Sequence, residues 1–311
     1  MSAKPIITWV GGKSRLLKHI NPYIPDVMNN YIEPFVGGGA MLINILNRRD
    51  KGEIKIEGKI KASDMNKHLI NVYNHIRDYP EELFNKTNQY DTIIRSINIS
   101  HLEKGKRKKK DISEEEKLTS QEHFFYYLRD KFNKNDKDTL EAAGLFVILI
   151  RMAFRSLYAE KDNKLNVSFC GTVEKQGKLY KDNFIKLSKL FKDVIFEVKD
   201  YKEALKDIEM NDFIYLDPPY YPLNENSYTK YTAEDFGPEQ GEELFEELLS
   251  IKKASFLMSN SGADRVKEVF KYSNIKELDI KYNLNYKQDA KKEILVYNYY
   301  VDEGPVKVGI I

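Results

Sequence analysis

Short runs of apolar, β-branched or aromatic residues alternate with amphipathic stretches at both ends of the chain. Residues 31–33 read as a strand followed by a helix over 41–49, and residues 60–63 as a second strand followed by a helix over 67–77. Such alternation predicts an α/β fold, with a parallel sheet covered by helices. The pattern resumes at 194–198, 212–216 and 254–260, and closes with strands at 275–282 and 293–300. No helix separates the last two, so they are expected to pair antiparallel. Residues 80–185 read mainly as helix, with an Asn-, Lys- and Gly-containing hairpin over 162–178. The expected organisation is one α/β domain in two parts, 1–79 and 186–311, carrying an inserted second domain at 80–185.

A chain of 311 residues can bury a core of that size. No apolar run approaches the roughly 18 residues of a membrane span, and the N-terminus lacks the order of charges and apolar residues of a signal peptide. The expected location is therefore cytoplasmic. Cys170 is the only cysteine and the five histidines are scattered, so neither a disulfide nor a metal site is predicted. Lys and Arg number 50 against 48 Asp and Glu, so a nucleic-acid partner would have to meet a local basic surface. Residues 104–110 are almost all basic and run into Asp111 and Glu114, Glu115 and Glu116. A solvated charged loop and a DNA contact both fit that block.

The chemistry concentrates at strand ends. Asp217-Pro218-Pro219-Tyr220 follows an apolar strand, and two prolines end it abruptly because they fix φ and donate nothing to a ladder. A carboxylate and an aromatic are held at the edge where open α/β sheets bind ligands. An exocyclic base amine is a poor nucleophile; a carboxylate and the Pro218 carbonyl accepting its two N–H groups would free its lone pair. Tyr220 could stack on the base, and a stiff turn without chemistry is the plainer alternative. Glu33-Pro34-Phe35-Val36-Gly37-Gly38-Gly39 follows a strand and opens a helix, and Asp64 ends the next strand about 25 residues later, the spacing of a ribose-binding acid. Thr8-Trp9-Val10-Gly11-Gly12-Lys13 lacks the spacing of a phosphate loop. Its lysine could hold a ligand carboxylate, or the segment could be a helix-entry turn with a packed Trp9.

The ordered set Trp9-Val10-Gly11-Gly12-Lys13, Glu33 to Gly39, Ser63-Asp64-Met65-Asn66, Asp217-Pro218-Pro219-Tyr220 and Met258-Ser259-Asn260 resembles the Dam-type DNA adenine methyltransferases. The resemblance implies a Rossmann-like sheet with an antiparallel last strand and an inserted, mainly helical DNA-recognition domain bearing a β-hairpin. It implies S-adenosylmethionine as cofactor, with Trp9, Lys13, Phe35, Gly37, Gly39 and Asp64 as contacts and Asp64 on the ribose. Asp200 and Tyr201 resemble the adenine-side contacts, and Asp217 would face both the cofactor and the target amine. Asp217, Pro218, Pro219 and Tyr220 would act on an adenine flipped out of double-stranded DNA, with no metal. Phe154-Arg155-Ser156-Leu157-Tyr158 and Leu165-Asn166-Val167-Ser168-Phe169 resemble the flanks of the recognition hairpin, which makes Arg151, Arg155, Lys161, Lys164 and Asn166 candidate DNA contacts. Many members carry a basic residue after Leu-Tyr where this chain has Ala159-Glu160, so recognition of GATC does not follow. Methylation of RNA or of cytosine N4, and a silent DNA-binding regulator with the same fold, remain open alternatives. A cognate restriction endonuclease is a candidate partner.

Overall fold

The computed structural model describes residues 2–97, 111–174, 176–223, 236–278 and 293–301. The basic run 104–110 and the predicted strand residues 279–282 lie outside them. The chain forms two compact units, one of Lys13–Val36, Asn44–Met65 and the residues from Asp193 onward, the other of Met1–Gly12, Gly37–Ile43 and Asn66–Lys192.

The first unit is built on a seven-stranded sheet. Its strands are β1 (Tyr31–Glu33), β2 (Ile60–Asp64), β3 (Val194–Val198), β4 (Phe213–Leu216), β5 (Ser255–Ser261), β6 (Asn274–Leu278) and β7 (Glu293–Tyr297). The spatial order is β6-β7-β5-β4-β1-β2-β3. From β3 to β5 every pairing is parallel, while β7 runs antiparallel to both β5 and β6. All of β4 and all of β5 are buried, which is why β4 reads as a continuous apolar run instead of an alternating one, while in β5 the apolar run is confined to Phe256–Met258. The chain steps outward from β1 through β2 to β3 and then returns to β4 on the other side of β1. The carboxyl ends of β1 and β4 therefore flank a topological switch point, the place where such sheets open a crevice.

One core of this unit joins Ile32, Ile214, Leu216, Phe256, Met258, Ile294 and Val296 of the sheet to Leu244, Phe245 and Leu248 of the helix Pro238–Ser250 and to Val266 and Phe270. Ile214 lies on the central strand and is fully buried. Ile214→Ala is expected to lower unfolding free energy by about 2–5 kcal/mol, read from denaturant midpoints. A loss below about 1 kcal/mol, on the order of a single buried methylene, would contradict the central placement.

The second unit contains α1 (Lys67–Asp78), α2 (Pro80–Ser96), α3 (Gln121–Lys134), α4 (Leu140–Arg151) and α5 (Lys181–Phe191). Every residue of α4 from Ala142 to Ile150 is buried, so this helix is apolar all round and forms the centre that α1, α2 and α3 cover. Side-chain oxygens of Asn66, Ser120 and Thr139 accept backbone N–H groups at the starts of α1, α3 and α4. Asn66, part of the motif beginning at Ser63, is thereby a helix cap. Among the described residues no helix is long and apolar enough to cross a membrane.

Three boundaries differ from the sequence reading. The hairpin is Glu160–Lys161 against Lys164–Leu165, shorter and earlier than 162–178. Asp162 and Asn163 both adopt positive φ, 53° and 57°, and close it as a two-residue loop. Beyond it, Phe169 makes an isolated bridge to Ala153. The last strand stops at Tyr297 because the next side chain replaces the ladder. Asn298 accepts from Phe256 N–H at 2.8 Å and donates to the Ala254 carbonyl at 3.0 Å.

Candidate active site

The turn after β4 carries a cluster of charges. Lys13, at the head of the short helical turn Lys13–Arg15, is buried, and its Nζ lies 2.6 Å from the Asp217 carboxylate and 3.8 Å from Glu293. The same ammonium sits 4.9 Å from the centre of the Tyr220 ring, and the Tyr220 hydroxyl donates to Glu293. Among the described residues of this cluster one cation thus serves two carboxylates. Burial pushes the Asp217 carboxyl above its ordinary range, and the Lys13 charge and hydrogen bond only partly pull it back. Burial raises Glu293 as well, against the pull of Lys13 and of the Tyr220 hydroxyl. Burial, with the charges of Asp217 and Glu293, holds the Tyr220 phenol well above 10, so it remains a neutral donor.

Backbone beyond the two prolines is pinned by β5. The Asn260 side-chain oxygen accepts Tyr221 N–H at 3.0 Å and Ser261 N–H at 2.8 Å, and the Ser261 hydroxyl donates to the Tyr221 carbonyl at 2.6 Å. Tyr215, inside β4, is tied to Ser259 at 2.9 Å. The Met258-Ser259-Asn260 motif therefore fixes the exit of the Asp217–Tyr220 turn.

Around the other strand ends of this unit, Asp64 is half-buried at the end of β2, and Val36 N–H donates to the Ser63 carbonyl at 3.0 Å, which holds the loop after β1 to β2. Phe35 stacks on Tyr201, with centroids 5.6 Å apart, and Phe236 closes on Phe35 edge-on. Tyr201 is buried and its hydroxyl reaches the Gln240 carbonyl, so its ring lies in the wall behind Phe35. Asp200 caps the following helix, Tyr201–Lys206, by accepting Lys202 N–H at 2.8 Å.

In the helical unit, Trp9 packs on the three glycines. A Cβ on Gly38 would stand 2.9 Å from Trp9 Cβ, and one on Gly37 would stand 3.1 Å from Trp9 Cδ1. The Trp9 ring also meets Tyr158 at 5.4 Å and Phe146 at 6.4 Å. Of the expected DNA contacts, Arg155, Lys161, Lys164 and Asn166 are exposed on the hairpin and its flank. Arg155 has φ of 55° and lies over the Phe154 ring. Arg151 instead donates to the carbonyls of Ile6 and Gly177, at 3.1 and 2.6 Å, and ties three segments of its own unit together. Glu160 is paired with buried His68 at 3.0 Å, a bond that holds its carboxyl below the usual range. Glu293 escaped the sequence reading, although a carboxylate opening the apolar run Ile294-Leu295-Val296 was a visible anomaly.

Residues 9–284 match the family described as D12 class N6 adenine-specific DNA methyltransferase. The chain belongs to that family. The D12 enzymes are S-adenosylmethionine-dependent, and the activity of this member is methyl transfer to N6 of adenine in DNA; the RNA, cytosine and regulator alternatives are set aside. It is 30% identical to the Type II methyltransferase M.MjaIII of Methanocaldococcus jannaschii, over 96% of this chain and 100% of that protein. It is 28% identical to the Type II methyltransferase M1.LlaDCHI of Lactococcus lactis subsp. cremoris, over 96% of each chain. It is 27% identical to the DNA adenine methylase of Haemophilus influenzae, over 94% of this chain and 91% of that one.

For this D12 enzyme, Asn260→Leu removes the acceptor of two backbone N–H groups. The expected cost is about 1–3 kcal/mol of stability and, through a loosened catalytic turn, about tenfold in kcat. Denaturation and initial-rate measurements check both; an unchanged kcat in a folded variant would remove Asn260 from the support of the site.

Proposed function

We propose that this adenine methyltransferase holds S-adenosylmethionine at the carboxyl ends of β1 and β4 and methylates an adenine turned out of double-stranded DNA. The observation that carries this reading is the cluster after β4, in which Lys13 is shared by Asp217 and Glu293. Its surplus of negative charge suits a cationic sulfonium donor. In the sheet unit Lys13, Phe35, Asp64, Asp200, Tyr201 and Asp217 are the proposed cofactor contacts, with Asp64 on the ribose. In the helical unit they are Trp9, Gly37 and Gly39, where the absence of side chains lets backbone approach a ligand closely.

When bound, S-adenosylmethionine supplies a methyl group on a sulfonium leaving group. The protein's own work is positional and electrostatic. Asp217 accepts one N6–H and the Pro218 carbonyl accepts the other, which withdraws the nitrogen lone pair from the ring and makes it a nucleophile. The ionised Asp217 also stabilises the positive charge that develops on that nitrogen. Pro218 and Pro219 keep this pair of acceptors rigid. Tyr220 offers a ring face to the extruded base, worth about 1–3 kcal/mol.

The mainly helical segment 80–185 is the proposed target-recognition domain, and 1–79 with 186–311 the catalytic one. Exposed Arg155, Lys161, Lys164 and Asn166 on and beside the hairpin support DNA contact. Arg151 is a weaker member of that set because its guanidinium already holds two carbonyls. Two relatives being Type II methyltransferases supports a restriction-modification setting with an endonuclease partner.

The test is calorimetric titration of S-adenosylmethionine into the protein, with mass-spectrometric identification of the base modified in duplex oligonucleotides. Heat of binding and N6-methyladenine are expected. Absence of binding heat would refute the site.

A further inference from the structure

We infer that Glu293 is a positioning residue for methyl transfer, anchoring Tyr220 and sharing Lys13 with Asp217. The inference rests on the proposed roles of Asp217 and Tyr220 toward the target base.

The sheet topology explains why a residue so distant in sequence arrives there. Parallel strands bring their carboxyl ends to the crevice, whereas β7 is antiparallel to β5 and so brings its first residue to that same end. Glu293 is that first residue and stands opposite Ser261, the last residue of β5. It is only 6% exposed. A carboxylate so buried needs partners, and among the described residues it meets the Tyr220 hydroxyl and the Lys13 ammonium.

Each partner also serves a group proposed to touch the base. An ammonium has three N–H donors on a flexible stem. Lys13 Nζ lies 2.6 Å from both oxygens of Asp217, and Glu293, 3.8 Å from the same ammonium, draws on its charge from another side and weakens that hold. Without that second anion Asp217 alone holds the ammonium, which then competes more strongly with the amine hydrogens for its lone pairs. The Tyr220 hydroxyl, held by Glu293, in turn fixes the direction in which the ring extends from Cβ, so the ring's position is set before a base arrives. Preorganised acceptors and a preorganised ring are the parts of a site that gain most from fixed neighbours.

The experiment uses the full-length protein and three variants: Glu293→Gln, which keeps an acceptor for the phenol but loses the charge, Tyr220→Phe, which keeps the ring but loses the hydroxyl, and the double variant. Glu293→Gln is expected to lower kcat about tenfold while KM for a duplex oligonucleotide changes less than about threefold. Its fluorescence signal from 2-aminopurine at the target position should stay close to that of the parent, because the ring remains anchored. Tyr220→Phe should instead lower that fluorescence. The double variant should fall less in kcat than the product of the two single losses, since each removes one half of the same charge-assisted phenol–carboxylate bond: Glu293→Gln its charge, Tyr220→Phe its donor.

A thermal-unfolding cycle over the same four proteins reads the Tyr220–Glu293 contact without substrate. No coupling in that cycle overturns the inference even in an active enzyme. So does parent-level kcat in Glu293→Gln, or a loss confined to KM or melting temperature, which would mark a purely structural carboxylate. Failure of the parent to modify adenine would instead refute the functional reading, leaving the coupling measurement to decide on the anchor.

Discussion

Asp217→Ala is expected to lower kcat by at least roughly 10²–10³-fold, the loss seen when one preorganised charge-stabilising group is removed. Affinity for S-adenosylmethionine should fall less than about tenfold, because the other cofactor contacts remain. Single-turnover methylation and calorimetry separate the two quantities, and turnover near that of the parent would defeat the assignment. The pH profile of the parent gives a second reading of the same carboxylate. In the proposed mechanism the ionised form accepts the amine hydrogens, and burial holds Asp217 above its ordinary range. Turnover is therefore expected to rise with pH through that raised value. Folding stability should run the other way. Between the ordinary carboxylate value and the raised one, the unfolded chain has already lost this proton while the native state keeps it, so the contribution of Asp217 declines as pH rises. Denaturant midpoints of the parent and of Asp217→Asn across the acid range would expose that slope.

Gly39→Ala is expected to damage the glycine loop proposed to hold the cofactor. Gly39 has a φ of +71°, and an added Cβ would stand 2.9 Å from the Tyr73 hydroxyl. That hydroxyl is not free to retreat, since it donates to the Gly37 carbonyl at 2.5 Å. The backbone strain alone is about 1–2 kcal/mol, and displacement of Tyr73 releases the carbonyl that shapes the loop. An affinity loss for S-adenosylmethionine of about tenfold or more is expected. Gly52→Ala supplies the comparison, because Gly52 has nearly the same φ, +74°, with nothing within 4 Å of an added Cβ. It should show the strain in its melting temperature and leave cofactor affinity unchanged. Equal affinity losses in the two variants would rule out a specific role for the loop.

The centre of the sheet was legible because buried parallel strands leave apolar runs, as at 213–216 and 256–258. The catalytic turn was legible for a different reason: two adjacent prolines after a strand have few structural uses. The hairpin was misplaced because Gly171 and Gly177 drew the turn toward themselves, whereas Asp162 and Asn163 make it without glycine. Arg151 looked like a DNA contact on residue type alone, and nothing local announced that Ile6 and Gly177 would supply carbonyls to it. Glu293 stayed hidden because its meaning depends on Tyr220, 73 residues earlier in the chain, and on Lys13 near its start. Local pattern reveals strands and turns; a shared ammonium is a property of topology.

The two compact units are not successive lengths of chain. The backbone passes from one to the other between residues 12 and 13, 36 and 37, 43 and 44, 65 and 66, and 192 and 193. Grafting residues 80–185 between relatives would therefore move the hairpin proposed for recognition but separate it from Trp9, the glycine loop and α1, which belong to the same compact unit. If the hairpin reads DNA as proposed, exchange of specificity in this chain should proceed more readily by side-chain replacement there than by swapping a module.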